Sequence, residues 1–333
     1  MRVLFIGGNG NISWYCTKKA IDNGHDIYEL HRGVTYSTRR KVHPEARIIK
    51  CDIRNIDETA NAIADQKFDV VCDFICYNEE HAKNAVRLFG GKTKQYIFIS
   101  SDVVYKRSIR TIPFNEESEK KDPETSSEYI SGKMLAEKVF MDAYKDSGFP
   151  ITIVRPGYTY DTILPVSIGH NCWTAIDKIL SGKPLLVAGE GSYIWNYTHS
   201  KEFAERFFYL LGNKESVGGV FDLSTDEWLT WNDVSEILLK ALGVDPKNIF
   251  HVPYERALNL PEFQPADMMY DRMWHCFRTN EKIKSLMPSN NKSISFEEGV
   301  RMSLDWLNED PKHKRIVQRY GDMLDMLYIE YGL

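Results

Sequence analysis

The chain opens on an apolar run, Val3-Leu4-Phe5-Ile6, which empties into Gly7-Gly8-Asn9-Gly10-Asn11-Ile12-Ser13 and then into a segment with helical patterning. A buried strand, a glycine turn and a helix in that order confine the start of the fold to a βαβ unit. The turn brings backbone amides and the positive end of a helix dipole to one place, where they can meet a phosphate. Gly7 permits the tight turn and Gly10 lets the backbone approach a dinucleotide pyrophosphate. Ser13 stands in the third glycine position, small enough for helix and strand to pack. Gly7, Gly10, Asn11 and Ile12 are therefore the first expected cofactor contacts.

The first half keeps alternating. Strands are expected at Arg2–Ile6, Asp26–His31, Arg47–Cys51, Asp69–Phe74, Gln95–Ser101 and Ile151–Arg155, with helices near Ile12–Asn23, Asp57–Ala64, Glu79–Phe89 and Glu128–Ser147. Nearly continuous apolar strands between amphipathic helices imply a doubly wound, Rossmann-type parallel sheet covered on both faces. After Pro156 the pattern loosens into shorter elements. The expected organisation is a dinucleotide-binding domain over residues 1–157, to which 198–225 return. A smaller α/β substrate domain takes 158–197 and 226–333. The stretch Lys106–Glu128 is long for a connector, which points to function or mobility.

Composition narrows the partners. A net charge of −5 over 333 residues gives no global pull toward nucleic acid or anionic lipid. Six scattered cysteines include Cys72 and Cys76, whose C-x-x-x-C spacing fits neither a zinc site nor a thioredoxin motif; they read as buried small hydrophobes, and no metal site is expected. Gly7, Gly8 and Asn9 interrupt the first apolar run before a signal-peptide core could form, and no run approaches the ~18 residues of a membrane helix. A cytoplasmic protein with no membrane association is expected.

The reactive chemistry is carried by Tyr129-Ile130-Ser131-Gly132-Lys133, where a phenol and an ammonium sit one helical turn apart. A free phenol titrates at about 10, too high for a base at neutral pH; a nearby ammonium and a positive nicotinamide ring would favour the phenolate. Ser101, at the end of an apolar run, is placed to hydrogen-bond a substrate oxygen. With the glycine turn, Ser101, Tyr129 and Lys133 point to hydride chemistry on an alcohol or ketone.

Enzymes that choose NAD often end the second strand on an acid for the ribose 2′-hydroxyl. Here the strand ends Glu29-Leu30-His31-Arg32-Gly33, so a cation at the tip could meet a 2′-phosphate. The NAD(P) cofactor is therefore expected to be NADP rather than NAD, with His31 and Arg32 at its adenosine ribose. Asp52, with Ile53 beside it, is placed at the adenine edge.

In this order Gly7-x-x-Gly10, Asp52, Ile99-Ser100-Ser101-Asp102-Val103-Val104-Tyr105, Tyr129-x-x-x-Lys133 and Arg155-Pro156-Gly157 resemble an extended short-chain dehydrogenase/reductase of the NAD-dependent epimerase/dehydratase group. Gly189-Glu190-Gly191 and Asn280-Glu281-Lys282 extend the resemblance over most of the chain. It implies a Ser-Tyr-Lys triad, a nucleotide-sugar substrate and a homodimer built through a four-helix bundle. It places Lys133 on the nicotinamide ribose as well, Pro156 among the cofactor contacts, and Asp102, Tyr158 and His170 at the substrate.

Departures from the family pattern restrict the reaction. Dehydratases of the group place Asp-Glu after the catalytic Ser/Thr, whereas Val103 follows Asp102 here, which disfavours water expulsion. Many of its epimerases carry a pyrophosphate-gripping arginine shortly after the glycine loop, near where Trp195 stands in this chain; Arg272 is the candidate substitute. These features, with His170-Asn171-Cys172-Trp173, resemble an atypical branch related to the chloroplast stem-loop-binding proteins. The leading expectation is a sugar-nucleotide epimerase or ketoreductase. The alternative is a cofactor-binding protein that recognises RNA, against which the acidic net charge and the absence of a basic stripe both count.

Overall fold

The structure is a computed structural model. It describes residues 1–34, 36–169, 172–260, 267–289 and 292–333, with the backbone alone at 267 and 268. In chain order the first half runs β1 (Arg2–Ile6), α1 (Ser13–Asp22), β2 (Asp26–His31), β3 (Arg47–Lys50) and α2 (Ile56–Ala62). It continues with β4 (Phe68–Asp73), α3 (Glu79–Phe89), β5 (Thr93–Ile99), α4 (Glu128–Ser147) and β6 (Ile151–Pro156). Then come β7 (Tyr158–Tyr160), α5 (Thr174–Leu180), β8 (Leu185–Ala188), β9 (Ile194–Trp195), β10 (Tyr197–His199), α6 (Ser200–Phe208) and β11 (Val220–Leu223). The chain closes with β12 (Leu229–Thr230), α7 (Trp231–Ala241), β13 (Ile249–Val252) and helices α8 (Tyr254–Leu258), α9 (Asp267–Arg272), α10 (Glu281–Lys284), α11 (Phe296–Glu309) and α12 (Gln318–Glu330).

One seven-stranded sheet organises the fold, in the order β11-β6-β5-β4-β1-β2-β3, with every pair parallel. Its strands read as unbroken apolar runs because successive residues feed different cores. Leu4 and Ile6 of β1 enter the core beneath α3 and α4, while Val3 and Phe5 enter the one beneath α1 and α6. The same alternation sends Tyr96 and Phe98 of β5 one way and Ile97 and Ile99 the other. This is the Rossmann-type doubly wound architecture. The sheet reverses direction of growth between β1 and β4, and at that switch point the carboxyl ends of the strands open a crevice.

A third core, rich in Trp and Tyr, fills the segments after Pro156, whose three small strand pairs are β7/β10, β8/β13 and β9/β12. All six cysteines are free and buried. No helix among the described residues is long and apolar enough to cross a membrane.

Helix α4 approaches the β4–α3 turn so closely that a Cβ at Gly132 would collide with the carbonyl oxygen of Tyr77. Alanine gains roughly 1 kcal/mol over glycine inside a helix, but here it would push the two segments apart. Gly132→Ala is expected to lower stability by about 1–3 kcal/mol, the usual cost of overpacking, measurable by urea denaturation.

Candidate active site

The glycine turn is clipped shut by its own neighbours. Gly7 adopts φ +77°, and a Cβ there would lie 2.8 Å from Ile75 Cγ2. The Ser13 hydroxyl donates to Gly7 O at 2.6 Å and accepts from Gly10 N at 2.8 Å, while Thr17 Oγ1 donates to Gly8 O at 3.1 Å. Ser13 thus ties the turn together rather than merely tolerating it. Ile12, the residue before α1, gives that helix no side-chain cap, and its first turn carries no acid. The exposed amide end is the kind that receives an anion.

Beside the turn lies a cleft of about 310 Å³ lined by Gly7, Asn9, His31, Arg32, Arg39, Asp52, Ile53, Arg54 and Tyr77, among others. Gly7, Arg32, Asp52 and Ile53, expected at the cofactor, are all part of this lining. Three arginines line the space; Arg54 Nη2 donates to Ile75 O, and Asp52 Oδ1 accepts from Arg54 N at 3.0 Å. His31 behaves differently from expectation. Its Nδ1 accepts from Gly33 N at 2.9 Å, which assigns the proton to Nε2, and Nε2 lies 3.9 Å from Glu29 Oε2. Burial lowers the imidazole's pKa, so it does not offer a cation to the cleft. Glu29 is 0% exposed beneath Gly8, neither carboxylate oxygen has a partner, and burial pushes its pKa up to about 7. Asn11 also turns away from the cleft: its Oδ1 accepts from Thr162 N and Oγ1 at 3.1 and 3.2 Å.

At the carboxyl ends of β4 and β5 the structure brings Ser101, Tyr129 and Lys133 together, with Ser101 near enough to act on the phenol. Lys133, one turn along α4, is buried and donates from Nζ to Cys76 O and Ile99 O, both at 2.7 Å. Burial brings its pKa down to about 8. Tyr129 is 41% exposed over the whole residue, yet protein atoms crowd the phenol enough for burial to push its pKa up to about 12, against the pull of Ser101. The expected lowering by Lys133 is not found: the ammonium is aimed at two carbonyls, and the phenol is a neutral acid at pH 7.

Behind this cluster runs a buried chain of charges. Glu137 accepts from Arg155 at 2.8 and 2.7 Å, from Ser100 Oγ at 2.6 Å and from Lys120 at 2.7 Å. Its own burial would raise the pKa, but the Arg155 bonds dominate in sum and hold it at about 2. Arg155 reaches Tyr105 OH at 2.8 Å, Tyr105 donates to Asp222 at 2.7 Å, and Arg278 Nε lies 3.8 Å from Asp222. Arg278 Nη2 then donates to Asp102 Oδ2 at 2.9 Å.

That chain corrects the expected substrate contacts. Asp102 is buried and committed to Arg278 and to the Cys276 thiol, which donates at 3.3 Å. Trp195 is 5% exposed, packs against Trp231 and donates from Nε1 to Trp274 O at 2.8 Å, so it is a core residue. Arg272 is buried over Trp231 and donates to Ser167 O at 2.7 Å. Tyr158 is half-buried, edge-on to Trp195 and Trp231. Pro156 ends β6 inside the core-facing run. His170 lies outside the described residues. Glu137 was missed although it follows Tyr129 and Lys133 at the same four-residue interval, a signal that a carboxylate shares their helix face.

The fold and the clipped turn at its switch point define a nucleotide-binding protein of the Rossmann type. The chain belongs to the NAD dependent epimerase/dehydratase family, whose model matches residues 3–223. It is 26% identical over 281 residues to 2'-dehydrokanamycin reductase of Streptomyces kanamyceticus, covering 82% of this chain and 76% of that protein. Identity is 24% over 297 residues to a chloroplast stem-loop binding protein of 41 kDa of Arabidopsis thaliana, covering 86% and 74%. A trifunctional UDP-glucose 4,6-dehydratase/UDP-4-keto-6-deoxy-D-glucose 3,5-epimerase/UDP-4-keto-L-rhamnose-reductase of Arabidopsis thaliana is 23% identical over 320 residues. That match covers 85% of this chain but only 44% of the plant enzyme. Among solved structures, UDP-glucose 4-epimerase from Bifidobacterium longum in complex with NAD+ and UDP superposes with a TM-score of 0.74 at 18% identity, covering 94% of this chain and 100% of that one. The dTDP-glucose 4,6-dehydratase from Bacillus anthracis in complex with NAD gives 0.73 at 19% identity, covering 94% and 98%.

The raised Glu29 carboxyl makes a pH-dependent contribution to stability. Its folded pKa of about 7 exceeds the ordinary value of 4.5, so the contribution is complete below pH 4.5 and is lost as pH rises through about 7. Glu29→Gln is expected to flatten the fall in melting temperature between pH 5 and 8, recovering up to about 3 kcal/mol at the alkaline end. Parallel wild-type and variant curves would refute this.

Proposed function

We propose that the chain is an NAD(P)-dependent enzyme of sugar chemistry in which Ser101, Tyr129 and Lys133 manage the proton while a hydride moves at a carbinol carbon. The nicotinamide cofactor, when bound, supplies or accepts that hydride. The glycine turn, with no room for a Cβ at Gly7 or Gly8 and with the uncapped start of α1 beside it, fits a pyrophosphate. Gly7, Gly10 and the backbone amides of Asn11 and Ile12, just ahead of α1, would hold it, Asp52 and Ile53 would flank the adenine, and Lys133 would hold the nicotinamide ribose.

Ser101 orients the substrate oxygen and Tyr129 exchanges its proton. The observation that carries the reading is Lys133, buried one turn along α4 from Tyr129 and hydrogen-bonded through Nζ to the carbonyl of Ile99, two residues before Ser101, at the carboxyl edge of the sheet. Such a triad serves reduction, in which the phenol gives its proton to the ketone oxygen, and epimerisation, in which the same group first takes the proton from the alcohol and then returns it; the products separate the two. Arg107, Arg272 and Arg278 each give N–H groups to protein acceptors, which argues for weak grip on a nucleotide diphosphate. A homodimer through α3 and α4 remains part of the proposal.

Tyr129→Phe is expected to leave cofactor affinity unchanged and to cut turnover by about 10²–10⁴-fold. The assay is a panel of UDP-, GDP- and dTDP-sugars and their 4-keto forms with either reduced cofactor. Turnover within a fewfold of wild type would sink the triad; net consumption of reduced cofactor marks a reductase, and interconversion of UDP-glucose and UDP-galactose without it marks an epimerase.

The three guanidinium groups of the cleft support NADP over NAD. Replacing Arg32 and Arg39 together by Ala is expected to weaken NADP by roughly tenfold to a hundredfold, the worth of one or two charge-assisted bonds, and to leave NAD nearly unchanged. Calorimetry that finds wild-type NAD binding as tight as NADP would refute the preference.

A further inference from the structure

Lys133 presents an unusual problem of charge. It is buried, it hydrogen-bonds two backbone carbonyls, and among the described residues no carboxylate joins them. What surrounds the ammonium is aromatic. Nζ lies 4.9 Å from the ring centroid of Tyr77, 5.1 Å from that of Phe98 and 5.9 Å from that of Tyr129. Ring faces carry partial negative charge and attract cations most strongly where water is excluded. Phe98 belongs to the sheet core and Tyr129 is the reacting phenol. Tyr77 alone of the three is both 43% exposed and part of the wall of the cofactor cleft.

The backbone under Tyr77 is held on every side. Ile75 N donates to Asp73 Oδ1 at 2.9 Å, and Ile75 O accepts from Arg54. Cys76 O accepts from Lys133, Tyr77 O abuts Gly132, and Asn78 caps α3. Only the side chain retains freedom, and Arg54 lies 5.9 Å from the same ring.

We propose that Tyr77 is a positioning residue of the reaction centre, its ring roofing the Lys133 ammonium on the cleft side so that the buried cation stays charged and held at its two carbonyls, one turn from Tyr129. The proposal rests on the role given to Lys133 above. The phenol oxygen is not needed; the ring face is. Other groups acting on Lys133 are Cys76 and Asp73 at the end of β4 and Glu137 along α4, which favour its charge, and Arg54, which opposes it. His81 of α3 also feels the ammonium. Arg54 and His81 touch the Tyr77 ring themselves, and the Phe variant keeps both contacts.

The test is a pH titration of protein labelled with 13Cε-lysine and free of cofactor, the Lys133 resonance being assigned by its loss in Lys133→Arg. Tyr77→Leu is expected to move the Lys133 midpoint down by about one pH unit, a tenfold change in its protonation equilibrium. Tyr77→Met, kept as a second variant should Leu fail to fold, moves it likewise, and Tyr77→Phe leaves it in place. With the working substrate, the alkaline limb of kcat moves by the same amount in Leu and Met and returns in Phe. An unmoved midpoint in Leu and Met, or a midpoint in Phe that moves with theirs, overturns the proposal. Full turnover in Tyr129→Phe would instead overturn the underlying triad, whichever way the titration falls.

Discussion

The chain of buried charges from Glu137 through Arg155, Tyr105, Asp222 and Arg278 to Asp102 is the constraint on which the rest of the site depends. It begins on the helix that carries Tyr129 and Lys133 and ends on the residue after Ser101. Two arginines and three carboxylates share it, together with one phenol. Buried ion pairs add little net stability, because desolvation consumes most of the attraction. Their removal one at a time is another matter, since the survivor is left charged in a medium that cannot solvate it. The chain therefore fixes geometry more than it supplies free energy. Helix α4 cannot slide along the sheet without separating Glu137 from Arg155, and the segment at Cys276 and Arg278 cannot lift without exposing Asp102.

Much of the first half was legible in the sequence because its signals are local. A glycine turn after an apolar run, a helix C-terminal glycine such as Gly148 and a four-residue Tyr–Lys interval each depend on neighbours within a turn or two. Helices α3 and α4 match their expected limits, since an asparagine cap and a terminal glycine mark the ends. Strands β1 and β2 match as well, whereas β3 to β6 differ by a residue or two, where hydrogen bonding to the adjacent strand sets the limit rather than the apolar pattern.

What the sequence hid is whatever depends on partners far along the chain. Trp195 stands where the family resemblance suggested a substrate contact, yet its surroundings are Trp231 and the carbonyl of Trp274, which lie in segments with no shared motif. Arg272 and Arg278 look alike in a loop, but one grips a carbonyl and the other an aspartate 176 positions away. His31 looked available to a ribose phosphate because the buried Glu29 two residues before it seemed incidental. The pair shares a strand face, so the acid sits directly behind the imidazole.

Arg39-Arg40-Lys41 reads as a solvated basic loop, but Arg40 is not solvated. Its guanidinium meets Asp161 in a bidentate pair at 2.8 and 2.7 Å, walled by Trp14, Tyr15 and Trp306. Arg32 and Arg39, on the same loop, line the cleft beside the glycine turn. The clasp hence ties one rim of the cleft to the segment just after β7. Loss of the Asp161 carboxylate would leave a guanidinium charged among three aromatic rings, so the position of that rim is set by a group lying outside the cleft it shapes.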